Sequence, residues 1–98
     1  MKSLKLISSA IAMLICFVTM AQERTISGII SDEYKQALPG VNIFNQASKA
    51  VATTDFDGKY SIKAKTGDLL VFTFIGYTKQ SQKVQNSDIM NIKMLPES

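Results

Sequence analysis

The sequence predicts an all-β fold, a small antiparallel sandwich of seven short strands behind an N-terminal signal peptide. Three observations predict it. After Ala21 the apolar residues recur with a period of two, not 3.6. Turn-forming residues interrupt that alternation at short intervals. No part of the same region carries a helical apolar stripe.

The leading segment has the order of a secretory signal peptide. Met1 to Lys5 carries Lys2 and Lys5 and no acid, and Leu6 to Met20 is almost unbroken apolar sequence. Thr19 and Ala21 place small residues three and one positions before a cut between Ala21 and Gln22. The apolar run is shorter than the roughly 20 residues of a membrane span. Residues 1–21 therefore read as signal peptide and 22–98 as one domain with no membrane span. Cys16 is the only cysteine, and Met13-Leu14-Ile15 before it does not suit lipidation. Cleavage would remove it, so a disulfide framework is excluded even in a compartment that permits one.

Loss of Lys2 and Lys5 lowers the formal charge from +3 to +1. No basic cluster is left for nucleic acid or anionic lipid. The domain is near the size at which a single core is only just sufficient.

Each strand follows from local pattern. Ile26, Gly28 and Ile30 alternate with Thr25, Ser27 and Ile29. Asp32 to Ala37 is polar and turn-like, and Leu38-Pro39-Gly40 punctuates it. Val41 to Asn45 is the second strand, with Val41 and Ile43 on one face and Phe44 on the other. Gln46 to Lys49 turns, and Ala50 to Thr54 is the third strand. After Asp55-Phe56-Asp57-Gly58, Tyr60, Ile62 and Ala64 face one way and Lys59, Ser61 and Lys63 the other. Lys65 to Asp68 turns. Leu69 to Ile75 reads as a strand buried on both faces. Thr78 to Gln85 is a polar edge strand. Ile89 to Leu95 closes the fold with Met90, Ile92 and Met94 inward, and Pro96 stops it.

Three stretches, "SGIISDEYKQALPGVNIF", "ATTDFDGKYSIKA" and "GDLLVFTFIGYTKQSQKV", occur in that order. Together they resemble the carboxypeptidase regulatory-like domain. The matching positions are Gly28, Ile30, Asp32, Leu38, Pro39, Gly40 and Val41, then Thr54, Asp55, Asp57, Gly58 and Tyr60, then Gly76 and Tyr77. The resemblance runs from about Arg24 to Leu95 and implies a transthyretin-like (prealbumin-like) β-sandwich. Such domains often precede the plug and barrel of TonB-dependent outer-membrane receptors, and they occur on secreted peptidases and as short standalone proteins. The sequence as far as Ser98 shows no TonB-box segment, plug, barrel strands or peptidase domain. Neither transport nor peptidase activity is therefore expected of this polypeptide.

Asp55 and Asp57 are the only candidates for a metal site, and they are weak ones. A calcium loop needs several alternating oxygen ligands and a bidentate carboxylate near its end. Here Gly58-Lys59 follows, and no acid occurs between Gly58 and Asp68. A hairpin turn accounts for them better, with Asp57-Gly58 at positive φ and Asp55 accepting backbone N–H bonds. Gly76-Tyr77 ends the core strand. Tyr77 is expected to pack its ring on the sheet and bond its hydroxyl to backbone at a corner. Tyr34 is the candidate for surface contact. The chain has no histidine, which excludes Ser/His and Cys/His nucleophile pairs and His-ligated zinc. No catalytic residue and no cofactor are expected.

The reading that follows is an exported, non-catalytic interaction or accessory module of the cell envelope, in the periplasm, at the outer membrane or secreted. Its partner would be an envelope protein, met through loops or the Thr78–Gln85 edge, where Lys79 and Lys83 equally suit protection against aggregation. One alternative is a truncated or detached N-terminal extension of a TonB-dependent outer-membrane transporter. Another is a small carbohydrate- or peptide-binding module, disfavoured by the absence of tryptophan and only three tyrosines.

Overall fold

Residues 23–98 are described by a computed structural model, so the expected signal peptide and its Ala21/Gln22 cut lie outside the described residues. The strands are β1 (Arg24–Ser31), β2 (Asn42–Asn45), β3 (Val51–Thr53), β4 (Lys59–Ala64), β5 (Leu69–Thr73), β6 (Gln80–Lys83) and β7 (Ile92–Lys93). They form a three-stranded sheet ordered β4-β1-β7 and a four-stranded sheet ordered β3-β2-β5-β6.

Period-two alternation does the folding work. In β4, Tyr60, Ile62 and Ala64 are buried while Lys59, Ser61 and Lys63 are exposed. β1 pairs with β4 antiparallel, matching Ile26 to Ile62 and Gly28 to Tyr60. The other sheet answers with Val41, Ile43, Leu70, Phe72 and Val84, and Met94 completes the layer between the sheets. Such aligned inner faces make a sandwich core. Phe72 is fully buried, and its ring meets Tyr60 edge to face, with centroids 5.8 Å apart at 77°. That geometry suits the aromatic quadrupoles.

Four elements differ from the sequence reading. First, β7 runs parallel to β1, matching Ile30 to Ile92, whereas every other strand pair is antiparallel. The chain leaves β6 in one sheet and crosses to the other before β7 begins, so it enters alongside β1 in the same direction. Second, the run from Leu69 is buried on one face only. Leu70 and Phe72 are fully buried, Leu69, Val71 and Thr73 are half-buried, and Ile75 lies beyond the strand and is exposed. Among the described residues no layer covers the outer face of the four-stranded sheet, as antiparallel sheets allow. Third, β3 is only three residues long. Thr54 turns inward, donating its hydroxyl to the Leu38 carbonyl at 2.6 Å and accepting from Val41 N at 3.0 Å. Fourth, the closing strand shrinks to Ile92–Lys93, because Met90 pairs its backbone with Ser27 and crosses over Gly28.

Candidate functional site

The motif residues assemble into loop geometry. Asp32 is buried, and its Oδ1 accepts from Tyr34 N at 2.8 Å and Gln36 N at 2.9 Å. Asp55 repeats the device: its Oδ1 accepts from Asp57 N and Lys59 N, both at 2.9 Å. These are Asx-type turns. Gly58 adopts φ +74°, but Asp57 is not among the positive-φ residues, so the expected pair reduces to Gly58 alone. The Gly58 carbonyl accepts from Ile30 N at 2.8 Å, which ties the turn to the end of β1. Leu38 N donates to the Ile30 carbonyl at 3.0 Å, and Gly40 N to the Thr54 carbonyl at 3.1 Å. Pro39 sits between these two anchors, and Val41 is fully buried beside them. Among the described residues no group of three His, Cys, Asp or Glu side chains could hold a metal ion.

Gly28 and Tyr60 belong to one contact. The Tyr60 hydroxyl donates to the Met90 carbonyl at 2.5 Å. A Cβ at position 28 would lie 2.0 Å from that same oxygen. Burial pushes the Tyr60 hydroxyl up to about 12. The backbone bond expected of Tyr77 is thus made by Tyr60. Tyr77 instead packs its ring against Phe74, tilted at 45° with centroids 5.7 Å apart, at the Gly76 turn, where φ is +86°. Its hydroxyl is raised above the usual phenol range by burial, then by the Glu33 and Asp32 carboxylates and Tyr34. Glu33, Asp32 and Tyr34 of the β1–β2 loop therefore lie within electrostatic reach of the Tyr77 hydroxyl.

That end collects apolar tips. β1 runs into the Asp32–Ala37 loop, and β4 starts opposite Ile29, so the Asp55–Gly58 turn lies beside it. β5 ends opposite the start of β2, which brings the Phe74–Tyr77 turn to the same end. The tail joins them, with Thr78 N donating to the Leu95 carbonyl at 2.8 Å and Glu97 N to Gly76 at 3.0 Å. Tyr34, Phe56, Ile75 and Leu95 are all exposed here. The other three exposed large apolar residues, Ile29, Val51 and Ile89, line an open groove beside β4 with Ser27, Ser61 and Asn91. Among the described residues, the seven exposed large apolar side chains thus divide between the loop end and this groove. Sequence reasoning singled out Tyr34 but not Phe56 or Ile75. An aromatic between two turn aspartates was the available signal for Phe56.

β6 is an edge, as its polar sequence suggests. Its register with β5 turns the main-chain groups of Ser81 and Lys83 outward. The tail and the bond from Gln80 Nε2 to the Lys93 carbonyl, 2.5 Å, stitch its first half to the other sheet. At the opposite end, Arg24 pairs with Asp88 at 2.6 Å, reaches Thr66 Oγ1 at 2.7 Å, and donates to the Gln85 carbonyl. It clasps the start of β1 to two turns that the sequence did not connect.

Fold and surface define a small β-sandwich domain of loops and edges. Residues 26–98 match the model of the CarboxypepD_reg-like domain, and the chain belongs to that family. It is 38% identical over 64 residues to the TonB-dependent receptor SusC of Bacteroides thetaiotaomicron, covering 65% of this chain and 6% of the receptor. To the TonB-dependent receptor P3 of Formosa agariphila it is 36% identical over 85 residues, covering 85% of this chain and 8% of that one. The chain thus spans less than a tenth of the length of these relatives. Among solved structures, a chain of a type II cohesin–X-dockerin complex from Acetivibrio cellulolyticus is similar in fold. Its TM-score is 0.56 at 19% identity, covering 70% of this chain and 51% of that one.

Proposed function

We propose that the protein is an exported, non-catalytic β-sandwich interaction module of the cell envelope, in the periplasm or at the outer membrane. One observation carries the reading: the exposed large apolar residues gather into a loop end and a groove. Grouped apolar exposure supports docking, whereas scattered exposure would be ordinary. The relatives support the compartment, because TonB-dependent receptors work at the outer membrane. The match to receptor P3 spans 85% of the chain, while residues 23–98 are only 76 of the 98. It therefore takes in part of the apolar leader, which favours export. The partner is an envelope protein.

A second reading has its own support. The receptors matched are far longer than this chain, so the domain fits the N-terminal extension of a longer TonB-dependent receptor.

Mass spectrometry of fractionated cells tests the first reading. An envelope form beginning at Gln22 is expected, and a cytoplasmic form retaining Met1 would overturn it. Sequencing the transcript past the Ser98 codon separates the two readings. An open frame into plug and barrel sequence selects the receptor extension, and a stop codon selects the independent module.

A further inference from the structure

The structure assigns the open edge of β3 as the place where an extended, uncharged strand of a partner protein adds to the four-stranded sheet. This deepens the interaction-module reading and rests on it. β3 ends its sheet, with β2 on one side only. Asn45 N donates to the Ala50 carbonyl, and Thr54 N to the Val41 carbonyl. Bonded and open positions alternate along an antiparallel pair, so Ala52 also faces β2, while Val51 and Thr53 turn their N–H and C=O groups outward. Among the described residues these four groups have no backbone partner. β4 ends the other sheet. Ile30 N donates to the Gly58 carbonyl, so by the same alternation the main chain of Ser61 is turned away from β1. Its neighbours at that edge are taken, Lys59 by Asp55 and the Lys63 carbonyl by Asn45. Val51, Thr53 and Ser61 all line the groove. Its volume, about 840 Å³, lies within the roughly 300–1,000 Å³ of ligand clefts.

The two edges of the four-stranded sheet differ in protection. β6 carries Lys83, and the Gln80 side chain stitches it to the Lys93 carbonyl. β3 is Val-Ala-Thr, with no charge and no proline, and only its shortness guards it. The groove selects what joins that edge. Alternating outward N–H and C=O groups are matched by another extended main chain, with side-chain pockets setting the preference. Asp55 and Lys59 are the charged lining residues, and their charges balance. The exposed large side chains, Ile29, Val51 and Ile89, are apolar. An uncharged strand with apolar side chains at alternate positions fits both the edge and the walls. A sugar finds no stacking face, because the one aromatic residue in the lining, Tyr60, is buried. An anionic lipid or a nucleic acid meets no net positive charge there. The β3 of a second copy carries β2 on its other side, so the groove would have to admit two strands, whereas a free segment brings one.

Three capped eight-residue peptides of alternating valine and threonine test this. One is unmodified, one is N-methylated at the odd residues and one at the even residues. Each is titrated into isotope-labelled protein and followed by NMR. A strand presents alternate N–H groups to its neighbour. The unmodified peptide should therefore move the amide signals of Val51, Thr53 and Ser61. One N-methylated peptide should bind at least about tenfold more weakly, since each lost hydrogen bond is felt, and the other should bind better than it does. Thr53→Pro removes a donor that β2 does not use, as edge positions tolerate. It should abolish binding while the spectrum stays dispersed, and Lys83→Ser should leave binding intact. Equal binding of all three peptides would overturn the proposal, because side-chain docking ignores the backbone. Binding of none would overturn it, as would signal changes confined to β6 or to the loop end. Self-association in sedimentation that Thr53→Pro removes would overturn it in favour of a second copy. Envelope fractionation reads separately: a cytoplasmic Met1 form sinks the module reading, and failed discrimination among the peptides sinks only this edge.

Discussion

The Tyr60 hydroxyl holds the Met90 carbonyl at 2.5 Å, directly above the one residue in β1 that has no side chain, Gly28. Two family positions, Gly28 and Tyr60, are thereby explained by one crossing. The last segment passes over β1 so closely that a Cβ at 28 would stand 2.0 Å from the Met90 oxygen and 2.6 Å from its carbon. These are backbone atoms and cannot swing aside. Gly28→Ala should therefore cost about 3 kcal/mol, the upper part of the usual range for overpacking. Urea denaturation checks it, and an unchanged midpoint would mean that the segment does not cross there.

Tyr60→Phe removes the donor and leaves the Met90 carbonyl without it, at a cost of about 1–2 kcal/mol. Its pH dependence is more specific. Burial raises the Tyr60 hydroxyl from 10.0 in the unfolded chain to about 12 in the fold. The neutral phenol is thus favoured by folding. Its stabilising contribution is full below pH 10 and is lost as pH rises through 12. Stability measured across that window should fall less steeply in the Phe variant than in the parent. Tyr77, raised in the same direction, leaves a residual slope in both.

The acid side is governed by a residue that the sequence reading treated as ordinary strand. Asn45 is fully buried and donates Nδ2 to Asp68 Oδ2 at 3.0 Å and to the Lys63 carbonyl at 3.2 Å. Its Oδ1 accepts from Ala47 N at 3.0 Å and Ser48 N at 3.3 Å. Asn45 and then the Lys65 N–H hold the Asp68 carboxyl below its ordinary 3.8. The charged form is favoured by folding, so its contribution is present above 3.8 and is lost as pH falls through the lower folded value. Asn45→Ala should cost about 2–3 kcal/mol at neutral pH, because it strands several polar partners. It should also flatten the acid limb of the stability profile, which acid titration by circular dichroism would read.

At the opposite turn, Gly58→Val puts a β-branched side chain at φ +74°, with its Cβ 2.6 Å from the Ile30 carbonyl oxygen. Strain and clash add, so the loss should be about 3 kcal/mol. Asp55→Ala, which removes only the acceptor of two N–H groups, should cost about 1–2 kcal/mol. Added calcium should not shift the melting temperature of the parent, because the Asp55 Oδ1 is already occupied by Asp57 N and Lys59 N. A calcium-dependent rise would restore the metal reading.

The strands were legible because burial on one face forces alternation. β4 shows this most plainly, with every second residue buried. Parallel pairing of β7 was not legible, since two residues carry no directional signal and the crossing before them is irregular. The run Leu69–Ile75 misled because apolar content alone does not reveal how many faces are covered. The turn role of Asp55 could be read from its spacing to Gly58. The placing of Tyr34, Phe56 and Ile75 at one end of the sandwich could not, because three loops far apart in sequence reach it only through strand order. Asn45 was hidden for a related reason: its partners are 18 and 23 residues away.

Phe56 and Phe72 put the same side chain to opposite uses, and comparing them tests both the core and the loop end. Phe72 is fully buried against Tyr60 between the sheets, whereas Phe56 is 93% exposed. Phe72→Ala removes a packed ring and leaves a cavity, which costs roughly 3–5 kcal/mol. In so small a domain that loss is comparable with the whole stability, so the variant should be unfolded or nearly so at room temperature. Phe56→Ala touches no core contact and should change stability by no more than about 0.5 kcal/mol. Side-by-side thermal melts read the contrast. A folded Phe72 variant would mean that β5 presents its other face to the core. A strongly destabilised Phe56 variant would mean that this ring holds its turn rather than standing free.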